Sequence, residues 1–496
     1  MSELSTAVPP ATAQSGDVTA IAGRGTIYIT LAKAWFMLTG YGIYFTLPRI
    51  LSADQFGMYQ VVISVVSIVN AVVVTGTYQA VSKYVSQEEN KADSIKWEAI
   101  RVQAFVGGTI SAGFFMLAPV VAWYLNDLRL VSYLRLAALI TLFYSFYSVF
   151  TGYFNGRKKF LQQAGLDATY STLKLGFIVL FTWLGYGVAG AVGGFALAAA
   201  GILVISFAVA GTRGRPGEVH PWELFRFQSY LLLAILVTNM LQKTDIILVK
   251  ALSGVGAVQA SRNAGHYGAA VNIANITFQI IVSVTFVVFP LVSESTFTEA
   301  GRTGAYVSNT LKYALMVMAC VATIFSANSS TVFRLIYPPD YREGAAALGV
   351  LAYGALCYGL LYLMLTIISA GGHPIISMMI ALFALTADIA FNYALIPIYL
   401  LAGAAMGTTA AMLVGTGIAG LYIKTTYGQL VPLLSVLRIL GSAAVVYAVS
   451  VLLSPGPNLV GIVEFAILPL VYAGCLIASG EVGRNELRAM KRIVAG

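Results

Sequence analysis

Beyond residue 24 the chain alternates long apolar runs with short polar breaks, and this rhythm persists almost to its end. Fourteen runs are recognisable, near 25–48, 58–82, 99–124, 130–155, 160–184, 187–211, 228–251, 265–291, 307–330, 344–370, 374–397, 400–423, 433–454 and 459–479. Each is long enough to cross ~30 Å of hydrocarbon as a helix, which takes ~20 residues. Outer-membrane barrels instead show ~10-residue segments alternating with period two, and none occurs here. The pattern predicts an all-α polytopic membrane protein with 14 transmembrane helices. No break exceeds about twenty residues, so no extramembrane domain is expected.

Composition agrees, with 58% hydrophobic and only 10% charged residues where a soluble chain carries about 25%. With the N-terminus placed inside, inward loops and tails hold 19 Lys/Arg, outward loops 7, and the spans the remaining 3 of 29 (Lys33, Lys174 and Lys243). This bias predicts both termini cytoplasmic. It also accounts for the net charge of +9, so no nucleic-acid partner is needed. The opening "MSELSTAVPPATAQSGDVTA" lacks a basic n-region and an apolar h-region, and reads as a disordered tail, not a signal peptide. Cys320, Cys357 and Cys475 lie in apolar runs at no motif spacing, and read as small core residues.

The chain also repeats itself. Arg49-Ile-Leu-Ser matches Lys250-Ala-Leu-Ser at an offset of 201, Gly57-Met-Tyr matches Gly265-His-Tyr at 208, and "GVAGAVGGFALAA" from Gly187 resembles "LLAGAAMGTTAAM" from Leu400 at 213. Two six-helix lobes follow, with spans 13 and 14 appended. An even number of spans per lobe makes the repeat parallel, about a pseudo-two-fold axis along the membrane normal. The expected divisions are a tail (1–22), an N-lobe (23–212), a linker (213–227), a C-lobe (228–424), the last two spans (425–480) and a basic tail (481–496).

"LPRILSADQFGMYQVVISVVSIV", "GYFNGRKKFLQQA", "QKTDIILVKALSG" and "YPPDYREGAAALGVLAYG" resemble segments of bacterial polysaccharide flippases, of the O-antigen type. These belong to the multidrug/oligosaccharidyl-lipid/polysaccharide exporter superfamily and are related to lipid II flippases. The resemblance runs from about residue 22 to 480 and is diffuse, since the superfamily has no invariant catalytic signature. The loop Gly254–Gly265 is longer than its first-lobe counterpart. The resemblance implies ion-coupled alternating access. An oligosaccharide linked through pyrophosphate to undecaprenol would pass from the cytoplasmic to the outer leaflet, its lipid tail left among membrane lipids. Other polysaccharide assembly proteins are conceivable partners.

Such a substrate calls for cations, amides and aromatic rings in a cavity, which the resemblance implies is lined by spans 1, 2, 7 and 8. Lys33 lies in the first third of span one with Arg24 two turns below; it either faces the cavity or snorkels to the interface. Asn239, Lys243 and Lys250 follow i, i+4, i+11 on one face of span seven, and Asn272, Asn275 and Gln279 form a stripe in span eight. These amides either line the cavity or glue helices together. Arg49 and Lys250 close spans one and seven as candidate outer gate charges, or as interface anchors. Lys174 is expected to pair with Asp167, seven residues back, or to reach the lobe interior.

Asp245 is two residues from Lys243, about 200° around a helix, so the two are no simple ion pair. Its partners are sought in span eleven, at Asp388 and Asn392 (i, i+4), and in span twelve, at Thr408 and Thr409. Two carboxylates, an amide and hydroxyls suit Na⁺. Two alternatives stand: a carboxyl pair sharing H⁺, or a purely structural contact. In lipid II flippases a Na⁺ site lies between the corresponding helices, so the resemblance implies Na⁺ as well. No other cofactor is expected.

The three histidines have no partner at ligand spacing, and the run "YSFYSVFTGYF" reads mainly as core packing. Function narrows accordingly. A multidrug antiporter of the same superfamily would want an acid where span one has Lys33, and twelve spans. A membrane glycosyltransferase or polymerase would need catalytic groups in a sizeable outward loop. The outward loops, such as "NDLRL" and "SPGPN", are short, so no enzyme is expected.

Overall fold

The computed structural model describes residues 12–214, 221–254, 256–298, 300–453 and 459–483, and among these there is no strand. The first half comprises α1 (Thr12–Ile50), α2 (Ala53–Asn70), α3 (Gly76–Gln87), α4 (Ala92–Tyr124), α5 (Leu130–Gly156), α6 (Phe160–Phe181) and α7 (Gly187–Ala210). The second comprises α8 (Pro221–Leu252), α9 (Ala257–Thr298), α10 (Ala300–Ala327), α11 (Ser329–Ile336), α12 (Gly344–Ala370) and α13 (Pro374–Tyr427). The appended helices are α14 (Leu433–Leu453) and α15 (Leu459–Ala478).

The chain is thus an all-α, multi-pass membrane protein, and the helices map onto the fourteen expected spans. α2 and α3 are one span continued through a wider turn at Ala71–Thr75. α13 is two spans joined at a break. Pro397 lacks the N–H that would hold the preceding turn, and three residues later Leu400 takes φ +52°, left-handed backbone that only an over-determined site holds in a non-glycine. The matching break between α6 and α7 falls on Gly185 (φ +93°) and Gly187 (φ +55°). α1 starts at Thr12, just past Pro9-Pro10 and inside the segment expected as a tail. Residues 1–11 and 484–496, and 215–220 of the inter-lobe linker, lie outside the described residues.

Packing groups the chain differently from the sequence lobes. One compact unit contains the residues through Ile43, Val69–Ala118 and Ser132–Leu233; the other contains Tyr44–Ile68, Pro119–Val131 and everything from Ala234. The first unit is centred on α5, where Tyr147, Phe150, Tyr153 and Phe154 are all buried. At its edge the Lys96 amino group donates to Asp93 (3.1 Å) and to the carbonyls of Gly211 (3.0 Å) and Arg213 (3.3 Å). In the second unit α12 is the hub, packed on α9, α10 and α13. The appended helices are tied to α10 by polar contacts: Asn328 donates to Ser450 (2.9 Å), and Ser450 to the buried carboxylate of Glu464 (2.7 Å).

The repeat has a direct signature inside the second unit. A side chain on Gly57 would strike the carbonyl of Ser261, and one on Gly265 would strike that of Ala53. Since 53 and 57 correspond to 261 and 265 at the offset of 208, each residue meets the counterpart of its partner, as a two-fold axis requires. α2 and α9 therefore cross reciprocally at these two glycines. Glycine at both positions is what lets the backbones approach so closely.

Candidate functional site

α8, α9 and the two arms of α13 bring one polar cluster together in the second unit. Asp245 (5% exposed), Asp388 (0%), Asn392 (0%) and Thr408 (8%) are all buried. A carboxylate there needs compensation, because an unpaired charge at membrane depth costs at least ~2.5–3.5 kcal/mol. Asp245 Oδ1 accepts the Ile246 N–H (2.8 Å), and its Oδ2 accepts the Tyr267 hydroxyl (3.1 Å). The Asn392 amide donates to the Asp388 backbone carbonyl (2.8 Å), to its carboxylate Oδ1 (2.9 Å) and to the Thr408 hydroxyl (3.2 Å). Tyr267 also meets the Thr408 hydroxyl, and the two carboxylates are near enough to repel.

The remaining atoms tell what the cluster lacks. Asp388 Oδ2 and Asn392 Oδ1 are buried and have no hydrogen-bond partner among the described residues. Both accept and neither donates, so each has room for a donor hydrogen, a proton or a small cation. The donor set is hard oxygen throughout, and no group of three or more His, Cys, Asp or Glu occurs among the described residues. That composition fits an alkali cation better than a transition metal.

Tyr267 is a member that the sequence reading missed, although the repeated Gly-x-Tyr marked its position. Thr409, adjacent to Thr408 but rotated about 100° on the helix, turns to α12 and approaches the Val350 carbonyl (3.4 Å).

The other candidate residues disperse. The Lys243 amino group is half-buried and makes no hydrogen bond or ion pair among the described residues, sensing Asp245 only at longer range. Asn239 donates back to the Ile235 carbonyl of its own helix (2.8 Å). Asn272 is buried, its Nδ2 without a hydrogen-bond partner among the described residues, Asn275 is half-buried and Gln279 is exposed. Lys33 is exposed, and the side chain of Arg24 lies outside the described residues.

The ends of these helices near Lys250 and Ala257 carry a second cluster. Lys250, 1% exposed, donates to Asp127 (2.9 Å), to the Ser261 hydroxyl (2.7 Å) and to the Ala257 carbonyl (2.8 Å). Arg129 grips the same carboxylate with two bonds of 2.8 Å. Burial works against the Asp127 charge, but these cations outweigh it and hold the carboxyl at about 2, below the usual carboxylate range. Arg49, the counterpart of Lys250, is exposed and donates to its own helix, at the Phe45 carbonyl.

In the first unit the expected Lys174–Asp167 pair does not form. Seven residues separate them by about 10 Å along the axis, and each finds another partner. Asp167 accepts the Tyr147 hydroxyl (2.8 Å) and faces the charge of Lys33. The Lys174 ammonium sits between the rings of Phe36 (5.0 Å) and Phe195 (4.9 Å).

Known proteins were compared with this chain. The family model described as polysaccharide biosynthesis protein matches residues 22–296, more than half of the chain. An uncharacterized membrane protein of Methanocaldococcus jannaschii is 26% identical over 187 residues, which are 38% of this chain and 36% of that protein's own length. Among solved structures, the lipid II flippase MurJ in its inward closed conformation superposes with a TM-score of 0.76, at 15% identity, covering 92% of this chain and 99% of its own. An inward-facing multidrug resistance MATE family transporter of the MOP superfamily gives 0.65 at 13% identity, over 79% and 94%. A MOP superfamily transporter from Pyrococcus furiosus, described as having a binding pocket of reversed polarity, gives 0.56 at 14% identity, over 82% and 95%. At these identities the structural likeness establishes the fold.

Proposed function

The chain belongs to the polysaccharide biosynthesis protein family, and from that premise we propose that it flips an undecaprenyl-pyrophosphate-linked oligosaccharide across the bacterial inner membrane by ion-coupled alternating access. The observation that carries the transport reading is the buried cluster with two acceptor oxygens left open. A membrane-embedded carboxylate bought at such cost, with an oxygen that a cation or proton can satisfy, suits coupling to an ion gradient. Asp245, Asp388, Asn392 and Thr408 would hold the ion, Na⁺ on the donor chemistry and H⁺ as the alternative, with Tyr267 fixing the Asp245 carboxylate. The ion supplies charge compensation that differs between the two sides of the transport cycle, which is the requirement for shifting a conformational equilibrium.

The substrate assignment draws on the family description and on the intramembrane lysines Lys33, Lys174 and Lys243, which suit an anionic head. The same lysines repel cationic drugs, so the multidrug antiporter that the fold also accommodates is disfavoured.

Proteoliposomes loaded with undecaprenyl-pyrophosphate-linked oligosaccharide test the reading. Lipid exposure to an external enzyme should rise when the protein is present and respond to an imposed Na⁺ gradient. No flipping under a Na⁺ or a pH gradient would rule out the proposal. Sodium-22 binding to the purified chain, reduced in Asp388→Asn, reads the ion site independently of transport.

A further inference from the structure

We propose that a small monovalent cation of the sodium class binds where α10, α14 and α15 meet, held by Glu464, Asn328 and Ser450. The site is separate from the Asp245–Asp388 cluster and does not rest on the transport reading.

The three side chains come from three helix ends in the second unit. Asn328 follows the last residue of α10, Ser450 lies one turn before the end of α14, and Glu464 is in the second turn of α15. They are 2%, 1% and 4% exposed. Every hydrogen in the group is committed. Asn328 Nδ2 donates to the Ile324 carbonyl (3.3 Å) and to the Ser450 hydroxyl (2.9 Å), and that hydroxyl gives its one hydrogen to Glu464 Oε1 (2.7 Å). Glu464 Oε2 and Asn328 Oδ1 are then left without a hydrogen-bond partner among the described residues. No Lys or Arg bonds to Glu464 there either.

The amide oxygen argues against a purely structural role. An asparagine directly before a helix ordinarily turns its oxygen onto the N–H groups of the first turn. Asn328 precedes α11 and makes no such bond. Its orientation is fixed from the other side, because a reversed amide would set its oxygen against the Ile324 carbonyl. Asn328 and Glu464 meet at the Ser450 hydroxyl, which bonds both and keeps one lone pair. A proton on the carboxyl would discharge it and leave that lone pair idle. A cation engages carboxylate, amide and hydroxyl oxygens together and keeps the Ser450 bond charge-assisted. One negative charge among neutral oxygens balances a monovalent ion, and a donor set of oxygen alone favours an alkali cation over a transition metal. Bound there, the ion would clamp the appended helix pair to α10.

Difference infrared spectroscopy tests this on the detergent-purified full chain, labelled with carbon-13 at the glutamate side-chain carboxyls and exchanged between sodium chloride and choline chloride. The label makes the measurement blind to Asp245 and Asp388. Sodium should shift a labelled carboxylate band in the natural chain. That shift should disappear in Glu464→Gln and persist in Asp388→Asn. Ser450→Ala, which keeps the carboxylate, should need about ten- to a hundredfold more sodium to produce it, as the loss of a group that orients a metal ligand does. Labelled bands in the natural chain that ignore sodium would overturn the proposal, and so would a shift retained in Glu464→Gln. A shift lost in Asp388→Asn would overturn it as well, by showing that the response belongs to the other cluster.

Discussion

Lys250 and Arg49 occupy matching positions in the two halves of the repeat, yet their surroundings are opposite. Lys250 is buried in a three-bond network with Asp127 at its centre, while Arg49 is exposed and folds onto its own helix. The contrast extends to the loops. Asp127-Leu-Arg129 and Asp340-Tyr-Arg342 match at the offset of 213, but Asp340 is exposed and Tyr341 does the packing. Its ring meets Phe56 edge-on at 5.8 Å and stacks on Tyr337 at 5.6 Å. At this end of the repeat, one half packs through charge and the other through rings.

The same asymmetry appears deeper. Asp245 and Tyr267 correspond to Tyr44 and Tyr59 at offsets of 201 and 208. In the second half the tyrosine hydroxyl serves a carboxylate; in the first, Tyr59 faces another tyrosine. The backbone repeat is kept at Gly57 and Gly265, where symmetry is a packing necessity, while the ionisable chemistry stands on one side. A two-fold scaffold lets helices move as equivalent bodies, and the proposed ion, held on one side, would act on only one of them.

The largest expected effect tests that division. Asp388→Asn should abolish the Na⁺ response of transport, because the open carboxylate oxygen becomes a neutral amide atom, while Tyr44→Phe at the ring-lined counterpart should leave that response intact. Equal loss in both variants would show the halves to be chemically equivalent.

Stability gives the next comparison. Removing one member of a buried ion pair costs ~3–5 kcal/mol. Asp127→Asn should reach that range, since it strands Lys250 among neutral oxygens. Lys250→Met should sit at the low end, because Arg129 still holds the carboxylate. Arg49→Met should cost about 0–1 kcal/mol, as exposed charges do. Thermal unfolding in detergent orders the three, and an Arg49→Met cost equal to that of Lys250→Met would erase the distinction.

The glycine crossing should behave symmetrically. Gly57→Ala and Gly265→Ala each press a methyl against a backbone carbonyl that cannot give way, at about 1–3 kcal/mol of overpacking. Gly268→Ala meets only the flexible side chain of Gln60 and should cost less. Unequal penalties at Gly57 and Gly265 in the same unfolding assay would mean that the two-fold contact is not reciprocal.

The particular residues show how far sequence alone carries. Spans are legible because hydrocarbon demands unbroken apolar length, and the breaks at Gly185 and Leu400 are announced by glycine and by Pro397. Helical angles separate Lys243 from Asp245 and put Asp388 and Asn392 on one face, because those depend on periodicity alone. What binds Asp245, however, is a tyrosine on a different helix, and many buried tyrosines look alike in a sequence. Likewise, Asp127 reads as an ordinary loop residue until folding carries Lys250 to it. The Lys174–Asp167 expectation failed for a related reason: spacing gives a shared face, but rise along the axis decides reach, and the rings of α1 and α7 were nearer.

Acid tests the charged loop on its own. Asp127 titrates at about 2 in the folded chain, below its ordinary 3.8, so the unfolded chain takes up its proton first. The stability it contributes is complete above about pH 4 and disappears as pH falls toward 2. The natural chain should therefore unfold at a higher temperature than Asp127→Asn at pH 6, and the gap between them should narrow below pH 4 and vanish near pH 2. A gap for Asp127→Asn that stays constant down to pH 2 would mean that the carboxylate's charge contributes nothing and that its shape alone closes this end, leaving the two loops alike after all.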